Sequence, residues 1–213
     1  MTLVVVDYGR GNLFSIGQAL DHLAVANQVS EDPAQVAAAS RILLPGVGAF
    51  GDAMAGLRSR GLVAPLVEAA GRGVPVLGIC LGMELLTSRS EEFGEHDGLG
   101  LIPGIVRRLP DEDLTGARTR IPNVGWRRLH ATPGGEFLGP LDDRSMTYFV
   151  HSFTPVVDHP ADVAATIDFN GHAVAAVIRR GAVVGYQFHP EKSADVGLGL
   201  IERFLALEAT VPA

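Results

Sequence analysis

Four short runs of β-favouring residues in the first half of the chain, with helix-spaced apolar residues between them, do most to limit how it can fold. Leu3–Asp7 closes on the loop Tyr8–Asn12, after which Leu13, Ile16, Leu20 and Leu23 recur at helical spacing. Ala24–Val29 is a second, partly apolar run, and Asp32-Pro33 behind it reads as the cap and first position of a helix. Arg41–Leu44 is the third strand and Pro75–Ile79 the fourth, after a helix that ends near Gly71. Parallel neighbours need a crossover connection, so this alternation predicts a parallel sheet covered by helices on both faces.

From Leu99 the pattern changes. Leu101–Arg107, Met146–Val150, Val163–Asp168, Ala173–Arg179 and Val183–Phe188 are short apolar runs separated by turn residues, which reads as antiparallel or mixed sheet. Gly197–Glu208 reads as an amphipathic helix, and Pro110–Gly116 and Thr132–Gly139 as polar loops. With no repeat and no long linker, the 213 residues read as one α/β domain spanning 1–213: a mostly parallel central sheet, helices on both faces, and an added antiparallel or mixed region. At 47% hydrophobic and 19% charged residues, the chain has the composition of a folded protein.

The same composition removes several function classes. Cys80 is the single cysteine, so an internal disulfide, a zinc ribbon and a Cys-x-x-Cys redox pair are excluded; no metal or cofactor is expected, and a reducing cytoplasm suits the chain. A net charge of −7 with Lys192 as the sole lysine argues against a nucleic-acid surface. The longest stretch without Asp, Glu, Lys or Arg runs only from Ser145 to Val157, too short for a membrane span. The N-terminal run Leu3–Val6 stops at Asp7 without a basic leader, so no signal peptide is expected. No Gly-Lys pair exists for a Walker phosphate loop.

In open α/β sheets ligands sit at the carboxyl ends of the parallel strands, which directs attention to the loops after Asp7, Leu44 and Ile79. Gly78-Ile79-Cys80-Leu81-Gly82 has the form of a nucleophile elbow between a predicted strand and helix. Glycine on both sides removes the side chains that so sharp a turn would crush, and the nearby helix N-terminus would favour a thiolate and bind an oxyanion. A lone buried core cysteine is the other reading. In His189-Pro190-Glu191, residues two apart on an extended segment share a face, so Glu191 can hold one ring nitrogen of His189 and leave the other for a thiol; an ordinary surface ion pair is the alternative. Gly46, Gly48 and Gly51 match G-x-G-x-x-G, yet they follow the third strand, and Glu68 falls inside a predicted helix, not at a strand end. What survives is a glycine-rich loop whose amides approach a ligand closely and could add an oxyanion donor beside the Leu81 N–H, or else a plain strand–helix turn.

Together these motifs resemble the class I, triad-type glutamine amidotransferases, and among them the glutaminase subunits of imidazole glycerol phosphate synthases. The resemblance rests on six ordered segments: Asp7-Tyr8-Gly9-Arg10-Gly11-Asn12, Pro45-Gly46-Val47-Gly48-Ala49-Phe50, Gly78-Ile79-Cys80-Leu81-Gly82-Met83, Ile121-Pro122-Asn123-Val124-Gly125-Trp126, Tyr148-Phe149-Val150-His151-Ser152-Phe153 and Gln187-Phe188-His189-Pro190-Glu191-Lys192-Ser193. It implies Cys80 as nucleophile, His189 as general base and acid, and Glu191 as its orienter. It further implies an oxyanion hole from the Val47-Gly48 loop and Leu81, and a glutamine pocket at Gly46, Glu84, His151, Ser152 and Phe153. Tyr8, Asn12, Asn123, Trp126 and Lys192 would face a (β/α)₈-barrel cyclase that receives ammonia and makes imidazole glycerol phosphate and an aminoimidazole carboxamide ribotide. Trp126 is also expected in a loop-like stretch beside Pro122 and Gly125.

Two departures stand out. Glu84 occupies the usual glutamine position, where a carboxylate that only accepts hydrogen bonds predicts weaker glutamine binding. Asn123 and Arg127 replace a usual histidine and asparagine on the implied partner face. Rival readings are a paralogous glutaminase feeding another synthase, such as one amidating surface sugars, a non-catalytic regulatory subunit on the same fold, and a dinucleotide-dependent enzyme.

Overall fold

Leu3 and Val5 pack on one side of a central sheet, Val4 and Val6 on the other, and all four are buried, as a strand covered on both faces requires. The computed structural model of the chain describes residues 2–209. In chain order the elements are β1 (Leu3–Val6), α1 (Leu13–His22), β2 (Asn27–Ser30), α2 (Pro33–Ala38), β3 (Arg41–Gly46), α3 (Phe50–Ser59), α4 (Val63–Gly71), β4 (Val76–Cys80), α5 (Leu81–Leu85), β5 (Thr87–Ser90), β6 (His96–Asp97), β7 (Ile102–Arg108), β8 (Asn123–Arg128), β9 (His130–Ala131), β10 (Met146–His151), β11 (Phe153–Val157), β12 (Val163–Phe169), β13 (His172–Arg180), β14 (Val183–Tyr186) and α6 (Ala194–Leu205).

An eight-stranded sheet runs β2-β1-β3-β4-β14-β13-β12-β9. Pairs from β2 through β14 are parallel and those beyond are antiparallel. One face packs Leu43, Leu77 and Ile79 against Ile16 and Leu20 of α1 and Leu200, Ile201 and Phe204 of α6. The opposite face packs Ile42, Leu44 and Val76 against Val36 of α2, Met54 and Leu57 of α3, and Leu66 of α4. Each such aliphatic side chain contributes about 1.5–3 kcal/mol by leaving water. Strand β2 lies at the sheet edge, which explains its partly polar sequence. Asp32 caps α2 as expected, its carboxylate accepting from the Ala34 N–H at 2.9 Å.

The second half builds the rest of that sheet and two small ones, β11-β7-β5-β6 and β10-β8. Differences from the expected pattern are local. The helix expected before Gly71 is two helices, divided at Gly61 with φ +67°. The last helix begins earlier and ends at Leu205. Trp126 lies on strand β8, not in a loop, and pairs with Tyr148 of β10. Strand β8 pairs with β10 alone in a two-stranded sheet, so its outer edge is unpaired and its side chains alternate between the interior and solvent without a long apolar run.

Candidate active site

Strand β4 ends at Cys80, whose φ of +54° and ψ of −113° lie where L-residues seldom sit. Such a backbone costs about 1–3 kcal/mol and persists only where its surroundings hold it. Here the chain passes directly from β4 into α5. A methyl group at Gly82 would run into the Leu44 carbonyl oxygen of the neighbouring strand. Gly82→Ala is therefore expected to destabilise the chain by about 3 kcal/mol, the upper range for inserted methyl groups, and to lower the melting temperature by about 6–12 °C. Gly17→Ala in helix α1, where a methyl meets nothing within 4 Å, is expected to leave it unchanged or raise it slightly. Equal melting temperatures for the two variants would contradict this packing.

The parallel register sets Gly46 of β3 directly beside Cys80 of β4. No side chain fits at Gly46: its Cβ would stand 2.5 Å from the Tyr8 hydroxyl and 2.8 Å from the Gly82 nitrogen. A cavity of about 400 Å³ opens over this junction, lined by Val47, Gly48, Cys80, Leu81, Glu84, Glu92, His151, Ser152, Phe153 and His189 among others. The positions expected for nucleophile, base, oxyanion loop and substrate thus share one pocket, with Gly46 behind its floor and Glu191 behind His189.

Cys80 is 8% exposed, and its sulfur lies 4.0 Å from the Val150 carbonyl oxygen. Burial pushes the thiol above its ordinary pKa, and Glu84 pushes it further, while the Leu81 N–H and the Gln187 amide act in the opposite direction. This corrects the expectation of a favoured thiolate: desolvation outweighs the pull of the Leu81 N–H. The proton must leave with help.

Help stands in the same pocket. The His189 Nδ1–H donates to Glu191 Oε1 at 2.9 Å, which fixes the tautomer and leaves Nε2 free. Both side chains are buried, so this is no surface ion pair. Residues 190–192 form a 3-10 turn, not the extended segment expected, and that turn folds Glu191 back under the ring. Ser193 secures it: its hydroxyl donates to the His189 carbonyl at 2.6 Å and accepts from the Tyr148 N–H at 3.0 Å. Asn12 Nδ2 reaches Glu191 Oε1 at 3.5 Å.

Two carboxyls reach the cavity. Gln187 Nε2 donates to Glu84 Oε1 at 3.0 Å, and burial raises the Glu84 pKa to about 8. At neutral pH Glu84 therefore keeps its proton and can donate as well as accept, unlike the acceptor-only carboxylate expected. Glu92 accepts from the Phe50 N–H at 2.6 Å, and no local sequence pattern marks it. It belongs to a polar Ser-Glu-Glu stretch after a short strand, and only the fold brings that stretch back over α3. His151 is held neutral, its pKa lowered to about 4, by burial and then by the nearby His189 and Arg127.

The positions expected to face a partner divide. Trp126 is 47% exposed and Lys192 is exposed, whereas Asn12 is half-buried. Tyr8 and Asn123, each 1% exposed, are corrections: Tyr8 fills the space beside Gly46, and Asn123 hydrogen-bonds His151. The Gly46–Gly51 loop abuts the cysteine turn, and Glu68 lies in α4, not at a strand end where a dinucleotide ribose takes its acidic partner. Among the described residues no cluster of His, Cys, Asp or Glu is arranged to hold a metal ion, and no helix is long and apolar enough to cross a membrane.

Comparison with known proteins agrees with this geometry. The imidazole glycerol phosphate synthase subunit HisH 1 of Legionella pneumophila (strain Paris) is 41% identical over 208 residues, covering 95% of this chain and 98% of its own. The HisH subunit of Moorella thermoacetica is 45% identical over 203 residues, covering 95% and 93%. Among solved structures, PurLQS from Thermotoga maritima superposes with a TM-score of 0.68 at 20% identity over 96% of this chain and 97% of that one, a likeness of fold alone. The model of the family "Glutamine amidotransferase class-I" matches residues 4–206, nearly the full length over which the sheet and its cysteine turn are built. On that match the chain belongs to the class-I glutamine amidotransferases.

Proposed function

We propose that the chain is the glutaminase subunit of an imidazole glycerol phosphate synthase and passes ammonia to a (β/α)₈-barrel cyclase. The observation that carries this reading is the strained Cys80 turn sharing one cavity with a His189 whose far nitrogen is bound to Glu191. Support for the pathway comes from relatives named as HisH subunits across nearly the whole length. In the proposed reaction the Cys80 proton passes to His189 Nε2 as sulfur bonds the glutamine carboxamide carbon. The resulting oxyanion faces the Leu81 N–H and the Val47-Gly48 loop. His189 returns the proton to nitrogen, the C–N bond breaks, and ammonia leaves. Water, deprotonated by the same imidazole, then opens the thioester to glutamate and restores the thiol. Glu92 offers a carboxyl to the substrate ammonium, and protonated Glu84 offers a donor.

The test is glutamate release from glutamine with the cyclase and its ligand present, followed by formation of imidazole glycerol phosphate. Glutamate without that product would favour a paralogous glutaminase, the reading to which the Asn123 and Arg127 departures point. No glutamate under any condition would leave a non-catalytic subunit.

Glu84 sets a pH limit on this chemistry. Below about pH 8 it holds its proton; above, a carboxylate forms beside the thiol and raises it further. The ratio of wild-type kcat/KM to that of Glu84→Gln is expected to be flat up to about pH 7 and to fall about tenfold by about pH 9. A ratio constant across that range would remove Glu84 from the substrate step.

A further inference from the structure

Next to the cavity over Cys80 lies a second one of about 470 Å³, lined by Arg120, Pro122, Val124, Arg127, Phe169 and Asn170. The two cavities share Pro122 and so adjoin at that residue. In a chain of net charge −7, two guanidinium groups border this cleft, and among the described residues neither has a carboxylate within 4.0 Å. Arg127 is committed at one end: its Nε donates to Asn123 Oδ1 at 2.9 Å. Asn123 Nδ2 donates in turn to His151 Nε2 at 3.0 Å, and His151 Nδ1–H donates to the Phe153 carbonyl at 2.7 Å. Both ends of the Asn123 amide are thereby used, which fixes its orientation. The guanidinium nitrogens of Arg127 beyond Nε are left for a ligand, and a planar fork of this kind suits phosphate or carboxylate oxygens.

We propose that the Arg120–Arg127–Asn170 cleft binds a phosphate- or carboxylate-type oxyanion, and that its occupancy is felt in the glutamine pocket through Asn123 and His151. The physical route is short. An anion drawing on the outer nitrogens of Arg127 holds its Nε against Asn123, which holds the His151 ring in the pocket wall. The anion also offsets the positive charge that Arg127 places near that ring. Occupancy therefore orders the wall that contacts substrate and lowers the KM for glutamine. The coupling rests on the glutaminase reading; the binding does not.

The experiment is calorimetric titration of the whole chain with inorganic phosphate against chloride at equal ionic strength, using wild type, Arg120→Gln and Arg127→Gln. Arg120→Gln leaves the Arg127–Asn123 bond in place and so tests the cleft without cutting the link to His151. Saturable binding tighter than about 10 mM, weakened at least about tenfold in both variants, would support a free oxyanion as the ligand. Glutamine KM measured with the cyclase is then expected to fall about fivefold on adding phosphate in wild type and to stay fixed in both variants. If phosphate gives no heat, but both substitutions weaken association with the cyclase at least about tenfold, the oxyanion is a carboxylate of the partner. Phosphate binding that survives both substitutions, or no heat together with unchanged association, overturns the site. Phosphate binding with an unmoved KM overturns the coupling. Calorimetry reads the binding even in a chain without glutaminase activity, so the two proposals fail separately.

Discussion

Cys80→Ala is expected to lower glutamate release from glutamine by about 10⁴-fold or more, measured with the cyclase present, while the melting temperature moves by only a few degrees. Losing a nucleophile removes the whole covalent route, and what is left comes from binding and the oxyanion donors alone. The size of the effect separates two fates for a buried cysteine. A packing cysteine contributes through its contacts, and trimming one sulfur costs stability on the order of a kilocalorie with little effect on rate. A nucleophile does the reverse. Alanine keeps the backbone at φ +54° under the same strain as cysteine, so the turn itself is not relieved. Activity within about tenfold of wild type in Cys80→Ala would end the thioester mechanism, whatever the melting temperature.

Desolvation opposes ionisation of Cys80, Glu84 adds to this once it is itself ionised, and the sulfur sits beside the Val150 carbonyl. Burial favours the protonated thiol at Cys80, so in the proposed mechanism the proton passes to His189 as charge develops on the substrate oxygen. Local sequence told only part of this. The elbow was legible because its glycines have a steric cause that shows in the residues alone: Gly82 lies against Leu44 O. The parallel half of the sheet was legible for a similar reason, since strands buried on both faces must be apolar throughout, as Leu3–Val6 and Val76–Cys80 are. Strands that gain stability from pairing and not from burial were harder to see. Strand β8 alternates with solvent and its sequence reads as loop around Trp126, and Thr87–Ser90 is a polar strand that pairs with both β6 and β7.

Site chemistry divided along the same line. The contact between His189 and Glu191 followed from their spacing, but the 3-10 turn that makes it depends on Ser193 bridging to Tyr148, a tertiary bond. Glu92, the Glu84 proton and the burial of Tyr8 and Asn123 all depend on what packs over them. A carboxyl beside Gln187 in a closed pocket differs in charge from one in water, and nothing within a few residues of Glu84 reports that partner. Tyr8 and Asn123 lie in motif segments, and membership of a motif does not place a side chain at the surface. The fold uses one to fill the back of the glycine loop and the other to orient His151.

Glu191→Gln is expected to lower kcat by about 10³–10⁴-fold at almost unchanged stability. The carboxylate can only accept, so it forces the His189 proton onto Nδ1 and leaves Nε2 basic toward the pocket. An amide can accept from Nδ1–H through its oxygen or donate to Nδ1 through its nitrogen, and the second arrangement places the proton on Nε2, where it cannot accept from the thiol. It also removes the negative charge that stabilises an imidazolium during proton transfer. Stability should change little because the substitution keeps size and shape. Glu191 Oε2 is buried without a partner, so replacing it breaks no hydrogen bond. The Asn12 contact, at 3.5 Å to Oε1, is long enough to contribute little. Steady-state kinetics with the cyclase, paired with a thermal melt, separates the outcomes. A large fall in kcat with an unmoved melting temperature fits an orienting carboxylate. A fall that only tracks lost folding, or a kcat within about threefold of wild type, would mean that His189 takes its tautomer from elsewhere in the site.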